Sequence, residues 1–469
     1  MAGRNIHYEV SEKMQGIGVG GIGAFHQMAQ RIGLVKGIDE ELHLLKVHLP
    51  YHESDHVLNL SYNILVGGMR IEDIELRRQD ATFLDGLGAE RIPDPTTSGD
   101  FTRRFKESDI HVLMKVINAA RQRVWKRKAN GWLKEAVLDV DGTMAETLGE
   151  CKVGTDINYR GVWGYHPLMV SLANTKEVLY LVNRPGNVVS HEGCASWIDE
   201  AIDLVKPHAE RVTIRGDTDF SLTKHLDDWS EKADFVLGMN ACRWFIRRAE
   251  AVPQADWTVL KRKAKYTIKT EARKKRENVK EAVVVEREYR NTKRKSEWVT
   301  RIQYRPRKCR KTYDLVIVKK NLSVEKGERV LFDDIRYSFY ITTRRDLSDT
   351  AVVELANGRG DQENVIEQLK NGVNAMRMPV NDLLSNWAYM VMAALAWNLK
   401  AWFAMMMPDR EKGRVVIKME FRRFLNCFIR LPCQIIREGR QLIYRLLTYN
   451  AWLPDFLRTW EAIRVFSTA

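Results

Sequence analysis

The sequence has few cysteines and no sign of a secretory leader. Its 469 residues contain six cysteines, none of them in a CxxC pair, which argues against both a disulfide framework and a structural zinc site. No apolar segment of the signal-peptide type opens the chain, which argues against secretion. We therefore expect reduced thiols and a cytoplasmic protein.

The sequence also lacks an uninterrupted apolar run and a dinucleotide-binding glycine motif. The most apolar stretch, residues 383–407, contains Ser385, Asn386, Asn398 and Lys400, so a buried helix is predicted rather than a membrane span. No GxGxxG follows the first predicted strand, which argues against a dinucleotide-binding fold. Neither a membrane nor a dinucleotide is expected as a partner.

Positive charge is concentrated in one segment. The chain has 75 Lys and Arg against 61 Asp and Glu, a net charge of +14. Residues 261–311 hold 21 of these basic residues and 6 of the acidic ones, a net +15, so the rest of the chain carries 14 − 15 = −1. Such a segment favours a polyanionic partner, either nucleic acid or an anionic membrane surface.

The order of apolar runs indicates an α/β fold. Three strand-like runs come first, and a helix, a strand, a short helix and a further strand follow; the runs are residues 136–141, 165–172, 178–183, 195–205, 211–217 and 234–238. This order is that of a ribonuclease H-like mixed sheet. The β-like runs that follow (TVLKRK, EAVVVEREY, SEWVTRIQY and YDLVIVKK) predict a β-rich insertion.

Five regions result from this interpretation. We predict a helical DNA-binding or dimerisation region, the first part of the core, a basic β-rich insertion, the second part of the core and a helical basic C-terminal region. Their bounds are 1–130, 131–241, 242–335, 336–407 and 408–469.

Acidic residues end two of the predicted core strands. Asp139 and Asp141 alternate along the first strand, so they share one face, and Asp217 and Asp219 end a later strand in the same way. Ligands of open α/β sheets gather at strand ends. A solvated Asp-Gly turn would explain the first pair equally well.

A third candidate element is a helix predicted from about residue 362 to 378. Arg359, Glu363 and Lys370 are spaced i, i+4 and i+11, so a continuous helix would align them on one stripe. An ordinary solvated face would have the same spacing. In combination, however, three acids from two strands and a helix suit two Mg²⁺ ions that cleave a phosphodiester, with the cations holding phosphates.

The motifs LDVDGT, GYHPL, RGDTDF, YSFYITT and the Arg359–Glu363–Lys370 pattern resemble those of bacterial insertion-sequence DDE transposases with a β-strand insertion before the final glutamate. The resemblance covers about residues 50–450. It implies a cut-and-paste transposase that binds inverted-repeat ends, hydrolyses them with Mg²⁺ and transfers the 3′-OH ends to target DNA. It also implies a homodimer acting in the bacterial nucleoid.

The resemblance assigns roles to individual residues. The family's metal-binding acids correspond to Asp141, with Asp139 a neighbour or alternative, and to Asp217 and Glu363, which together would hold two Mg²⁺ or Mn²⁺ ions. The spacings, 217 − 141 = 76 and 363 − 217 = 146, allow a long insertion before the glutamate. Arg359 and Lys370 would contact phosphate. One departure is Ala356, where the family usually has a phosphate-contacting Tyr.

The basic insertion suits a grip on DNA. Lys293, Arg294 and Lys295 are predicted to contact backbone phosphates, and Trp298 to stack on an unpaired base, although a β-rich module also needs aromatic residues for its own core. Two rival functions remain at this point. One is an RNase H-like nuclease without strand transfer, and the other is a catalytically inactive DNA-binding derivative.

Overall fold

A computed structural model describes residues 14–48, 50–128, 132–262, 278–439, 441–447 and 450–466. The described residues form two compact units. The first unit holds those up to Trp132, Gly142–Val188 and those from Glu363 onward, and the second holds Leu133–Asp141 and Val189–Gln362.

The N-terminal part of the first unit is helical, as predicted. After strand β1 (Gln15–Ile17), seven helices follow within the described residues: α1 (Ile22–Arg31), α2 (Leu34–Glu41), α3 (Glu53–Leu65), α4 (Ile74–Arg78), α5 (Ala81–Leu87), α6 (Pro95–Thr102) and α7 (Glu107–Lys126). Asp80 and Asp94 accept hydrogen bonds from the first backbone N–H groups of α5 and α6 and so begin these helices.

The central elements follow the predicted order. Their bounds are β2 (Leu133–Gly142), β3 (Ala145–Glu146), β4 (Asp156–Ile157), β5 (Trp163–Tyr165), β6 (Leu168–Leu172), β7 (Glu177–Val182), α8 (Cys194–Val205), β8 (Ala209–Gly216), α9 (Leu226–Lys232) and β9 (Asp234–Met239). In the second unit, β8 pairs in parallel with both β2 and β9. In the first unit, β6 and β7 form an antiparallel pair.

The insertion extends the sheet of the second unit. Its elements are α10 (Arg243–Glu250), β10 (Thr258–Val259), α11 (Val279–Glu286), β11 (Arg290–Tyr304), β12 (Tyr313–Lys326) and β13 (Arg329–Thr342). The sheet order within this unit is β10-β11-β12-β13-β9-β8-β2, in which β10 to β13 and the β13–β9 pair are antiparallel. The predicted α/β fold with a large mixed sheet, and with helices at both ends of the described chain, is confirmed.

Two predictions about the insertion are corrected. The boundary between residues 335 and 336 falls inside the continuous strand β13, because the strand that leaves the insertion is also the one that pairs with β9. EAVVVEREY was expected to be a strand, but most of it forms α11, where the Asn278 side chain accepts from the Glu281 N–H. Helix capping here prevails over the β preference of three consecutive valines. The run TVLKRK extends to residue 263, outside the described residues.

The C-terminal third is helical except for one hairpin. It comprises α12 (Asp349–Asn357), α13 (Gly360–Glu367), α14 (Leu383–Met406), α15 (Arg410–Ile417), α16 (Phe421–Phe424), β14 (Cys433–Glu438), β15 (Gln441–Leu446) and α17 (Leu453–Arg464). The C-terminal region is helical at both of its ends, as predicted, but Cys433–Glu438 and Gln441–Leu446, which were expected to be helical, form strands. Gly439, at a φ of +59°, lies in the turn directly after β14, and β14 also pairs with β1.

The predicted helix over 362–378 is shorter than expected. It ends in a π-helical turn, Gln368–Gly372, and the backbone at Asn374 and Met378 is left-handed, with φ of 51° and 55°. A helix cannot continue through such residues. Arg359 precedes α13 and Lys370 lies in the π turn, so the three residues of the predicted stripe are not on one continuous α-helix.

Helix α14 forms the core of the first unit and is buried along nearly its whole length. Its Trp402 donates to Glu177 on β7, which also accepts hydrogen bonds from Arg121 and Trp125 of α7. This fully buried carboxylate is paired with a cation and several donors, as a buried charge requires. Among the described helices, none combines the length and the apolarity needed to cross a bilayer.

Candidate active site

Two parallel strands bring the first two predicted acids to one edge of the sheet. In the β2–β8 pair Leu133 lies opposite Ala209 and Asp139 opposite Arg215, an offset of 215 − 139 = 76. Asp141 and Asp217 are separated by the same 76 positions, so they stand at the same level where both strands end. Neighbouring strands are about 4.8 Å apart, so this register puts the two aspartates on adjacent strands at the same end of the sheet.

Asp141 is bound by Arg359. An Arg359 guanidinium nitrogen lies 2.7 Å from a carboxylate oxygen of Asp141, and the two side chains are 23% and 14% exposed. Arg359 immediately precedes α13 and was predicted to contact phosphate. The guanidinium therefore supplies positive charge at the edge of the sheet that carries Asp141 and Asp217, which we call the carboxylate edge.

Asp217 caps the short turn Thr218–Phe220, where its carboxylate accepts from the Asp219 N–H at 2.9 Å. Burial raises the pKa of Asp217, while this hydrogen bond and the nearby Arg359 oppose the shift and the Asp219 charge adds to it. The backbone of β9 presses against this turn: a Cβ at Gly238 would lie 3.0 Å from the Thr218 nitrogen. A side chain at this position would therefore require the turn to move by a few tenths of an ångström. The structure brings Asp141, Asp217 and Arg359 together.

Asp139 lies one step deeper on β2 and has a different environment. It is buried, and Arg215 binds both of its oxygens, with distances of 2.6 and 2.7 Å. Arg215 also donates to the Leu355 carbonyl oxygen at 2.9 Å. Because both oxygens face a guanidinium, Asp139 is less suited than Asp141 to bind a metal ion, and we interpret it as a structural residue.

A pattern that sequence reasoning missed connects these acids. Three carboxylates on one face of β2 each meet an arginine of the same unit: Glu135 meets Arg344, Asp139 meets Arg215 and Asp141 meets Arg359. The alternation of acids along the strand was visible in the sequence, and Arg215 belongs to the RGDTDF motif. The arginine partners of Glu135 and Asp139 were not identified, because these pairs join residues far apart in the chain.

Glu363 and Lys370 belong to the first unit. Glu363 is exposed on α13. Lys370 donates to the Met144 carbonyl oxygen at 2.8 Å, and burial lowers its pKa against the opposing effect of Glu146.

Ala356 stands on α12 where the family usually has Tyr. It packs against a buried cluster of the second unit that includes Val236 and Val353. Its methyl group contributes to the core and offers no hydrogen bond to a phosphate.

The residues of the edge fit a hard divalent cation in chemistry but do not form a complete cage. Asp141 and Asp217 offer carboxylate oxygens, the donors that Mg²⁺ and Mn²⁺ prefer. Among the described residues, no group of three or more His, Cys, Asp or Glu side chains is arranged to hold a metal ion. The raised pKa of Asp217 indicates a carboxylate that further positive charge would stabilise.

Three predicted DNA contacts on β11, which we call the hairpin cations, are engaged with acids of the antiparallel strands β11, β12 and β13, which we call the insertion hairpin. Lys293 lies 3.0 Å from Glu325, Arg294 3.0 Å from Glu297 and Lys295 2.6 Å from Asp333. Trp298 is half-buried, and its indole nitrogen lies 3.3 Å from the Ser296 hydroxyl. Tyr266, another aromatic residue of this segment, lies outside the described residues.

A family model decides the class of the protein. The model described as "Transposase DDE domain group 1" matches residues 17–468. The chain belongs to this family. DDE transposases are enzymes that act on DNA and use divalent metal ions, in agreement with the acids at the carboxylate edge.

The remaining comparisons add little to this family assignment. No curated protein matches the chain. Among solved structures, the piggyBac transposase synaptic complex with hairpin DNA matches at 13% identity and a TM-score of 0.36, over 87% of this DDE transposase and 81% of that chain.

Proposed function

We propose that this DDE transposase is a cut-and-paste enzyme that binds the inverted-repeat ends of its element, hydrolyses a phosphodiester at each end and transfers the 3′-OH ends to target DNA. The observation that carries the proposal is the pair Asp141 and Asp217 at the same level of two parallel strands. The positive charge of Arg359 acts on both carboxylates. Adjacent carboxylates beside a phosphate-binding cation are what metal-assisted phosphodiester chemistry requires.

Asp141, Asp217 and Glu363 would hold two Mg²⁺ or Mn²⁺ ions in this proposal. When bound, the ions supply Lewis acidity and an activated oxygen nucleophile. Before DNA binds, the positive charge of Arg359 reduces the repulsion between the two carboxylates. When DNA binds, its guanidinium would exchange Asp141 for a phosphate as its ion-pair partner. Arg215 fixes β2 against β8 through Asp139, so the level of Asp141 relative to Asp217 is held.

DNA contacts come from several elements in this proposal. Lys370 and Arg359 would contact phosphates near the cut. In the insertion, Lys293, Arg294 and Lys295 would contact backbone phosphates, and Trp298 would stack on an unpaired base. Each of the three hairpin cations has to leave a carboxylate to do so, which reduces its net contribution. Two ends must be joined in one reaction, so a homodimer acting in the bacterial nucleoid is proposed.

One assay tests the proposal and separates it from a nuclease without strand transfer. Purified protein is incubated with Mg²⁺, a duplex carrying the inverted repeat that flanks its coding sequence, and a supercoiled target plasmid. We expect cut ends and plasmids joined to those ends. Cut ends without joined products would favour the nuclease, and binding without any cutting would favour an inactive derivative.

Ca²⁺ is expected to support binding of the end duplex but little cleavage. Its ligand distances of about 2.3–2.6 Å and variable geometry do not match the tight octahedral arrangement of Mg²⁺ at about 2.0–2.1 Å. The measurement compares gel-shift affinity and product yield with each ion at equal concentration. Efficient cutting with Ca²⁺ alone would contradict a site that positions two small ions.

A further inference from the structure

Several exposed cations of the second unit form no ion pair with any acidic residue that the structure describes. Six of these residues, which follow the carboxyl ends of β8 and β9 or stand at positions 307 and 308, form what we call the basic track: Lys224, Arg243, Arg247, Arg248, Arg307 and Lys308. Within the part of the chain that the structure describes, none of the six forms an ion pair. Their charge is therefore available to a polyanion.

Helix α10 presents half of the track. It begins four residues after the end of β9, and its apolar side is anchored by Phe245, whose ring stacks on Phe339 of β13 at 5.1 Å. The other side is exposed and carries Arg243, Arg247 and Arg248. The Arg248 guanidinium lies 5.0 Å from the centre of the Trp244 ring, which holds it in place while its N–H groups remain open to a phosphate.

Contacts between aromatic rings connect α10 to the turn that carries Arg307 and Lys308. The Tyr304 ring lies 5.5 Å from the Trp244 ring and 5.1 Å from the Phe245 ring. Burial raises the pKa of Tyr304, and both Arg248 and Arg307 oppose that shift, which places these two cations near the same hydroxyl. The two parts of the track are therefore neighbours.

The same turn is fastened to the segment that follows Asp217. The Cys309 thiol donates to the Thr223 carbonyl oxygen at 3.0 Å, and the Arg310 N–H donates to Asp227 at 2.6 Å. Thr223 lies six residues after Asp217. The track is thus attached to the strand end that carries a proposed metal ligand.

The track ends in a cleft of about 630 Å³. Its lining includes Lys224, Lys308, Ser221 and the N-terminus of α8 at Gly193. Glu192 is the acidic residue in this lining. Helix α8 has no side-chain cap and no acidic residue in its first turn, so the positive end of its dipole adds to the two lysines. The cleft continues the basic surface up to the turn that Asp217 caps.

We propose that the basic track binds the phosphate backbone of double-stranded DNA where it passes the carboxylate edge. The inference rests on the proposed function, and it assigns the main electrostatic grip to this surface in place of the hairpin cations Lys293, Arg294 and Lys295. An unpaired cation gains a phosphate without losing a carboxylate, and it releases condensed counterions from the DNA. Transposon-end DNA and target DNA offer the same backbone chemistry.

Two triple variants that remove equal charge test this assignment. One is Arg247→Gln, Arg248→Gln and Lys308→Gln, and the other is Lys293→Gln, Arg294→Gln and Lys295→Gln. Affinity for an end duplex and for an unrelated duplex is measured with Ca²⁺ over a salt series. The track variant is expected to lose on the order of 10²-fold at about 0.1 M salt, with the salt slope reduced by roughly 0.9 per contact. The hairpin variant is expected to lose much less.

Several outcomes would overturn the inference. Equal losses in both variants would indicate a general charge effect, and a larger loss in the hairpin variant would return the main DNA contact to the insertion. A track variant with an unchanged salt slope and unchanged capture of a second duplex by a preformed end complex would exclude backbone contact. A loss confined to that capture step would instead support the inference with target DNA as the bound duplex. Circular dichroism and thermal midpoints verify folding. Cleavage by the wild type is scored separately, so a failure of the transposase proposal does not decide this comparison.

Discussion

Replacing Asp217 by Asn is expected to reduce end cleavage by roughly 10³-fold or more while DNA binding stays within a few-fold of wild type. Asn keeps the size of the side chain and one oxygen that can cap the Thr218–Phe220 turn, but it removes the charge that a divalent cation needs. The measurements are single-turnover cleavage with Mg²⁺ and gel-shift affinity with Ca²⁺ on the same end duplex.

Asp219→Asn is the matched control for this experiment. Asp219 is exposed and lies two residues away, and its backbone N–H, which the substitution preserves, donates to Asp217. The substitution also removes the Asp219 charge that helps to raise the pKa of Asp217, which favours the ionised form of the proposed ligand. We expect the control to cut at nearly the wild-type rate. Normal cutting by the Asp217 variant would remove this residue from the active site, and equal loss in both variants would indicate a disturbed turn instead of a missing ligand.

The sequence predicted best what depends on local patterns. Strand-like runs ending in Asp141 and Asp217 became neighbouring parallel strands, and α8 spans Cys194–Val205 against a prediction of residues 195–205. These elements have strong apolar periodicity, so local signals and tertiary packing agree. The order of the apolar runs was enough to predict that Asp141 and Asp217 come at the ends of two core strands.

The predictions failed where long-range pairing or local capping decides the structure. The segments that became β14 and β15 contain aliphatic residues that suit a helix, but β1, more than 400 residues earlier, pairs with β14. Similarly, α11 forms although its valines favour a strand. Charge counting pointed to the basic insertion, yet the described hairpin neutralises Lys293, Arg294 and Lys295 with its own acids, which no composition reveals.

Replacing Asp139 by Asn is expected to lower the free energy of unfolding by about 3–5 kcal/mol. The substitution leaves the Arg215 guanidinium buried without its counter-charge, and breaking a buried pair from one side costs about this much. Asp141→Asn makes the same chemical change two residues further along β2. Its pair with Arg359 lies closer to solvent, so a change of no more than about 1 kcal/mol is expected.

Urea unfolding followed by circular dichroism measures both variants, and end cleavage under folding conditions completes the comparison. Asp141→Asn should remain stable and lose cleavage, whereas Asp139→Asn should lose stability first and keep some cleavage at low temperature, where enough of the chain stays folded. This opposite pattern would separate a residue that positions β2 against β8 from one that holds a metal ion. If Asp139→Asn proves as stable as Asp141→Asn and cleavage is abolished in the former alone, the roles assigned to the two aspartates must be exchanged.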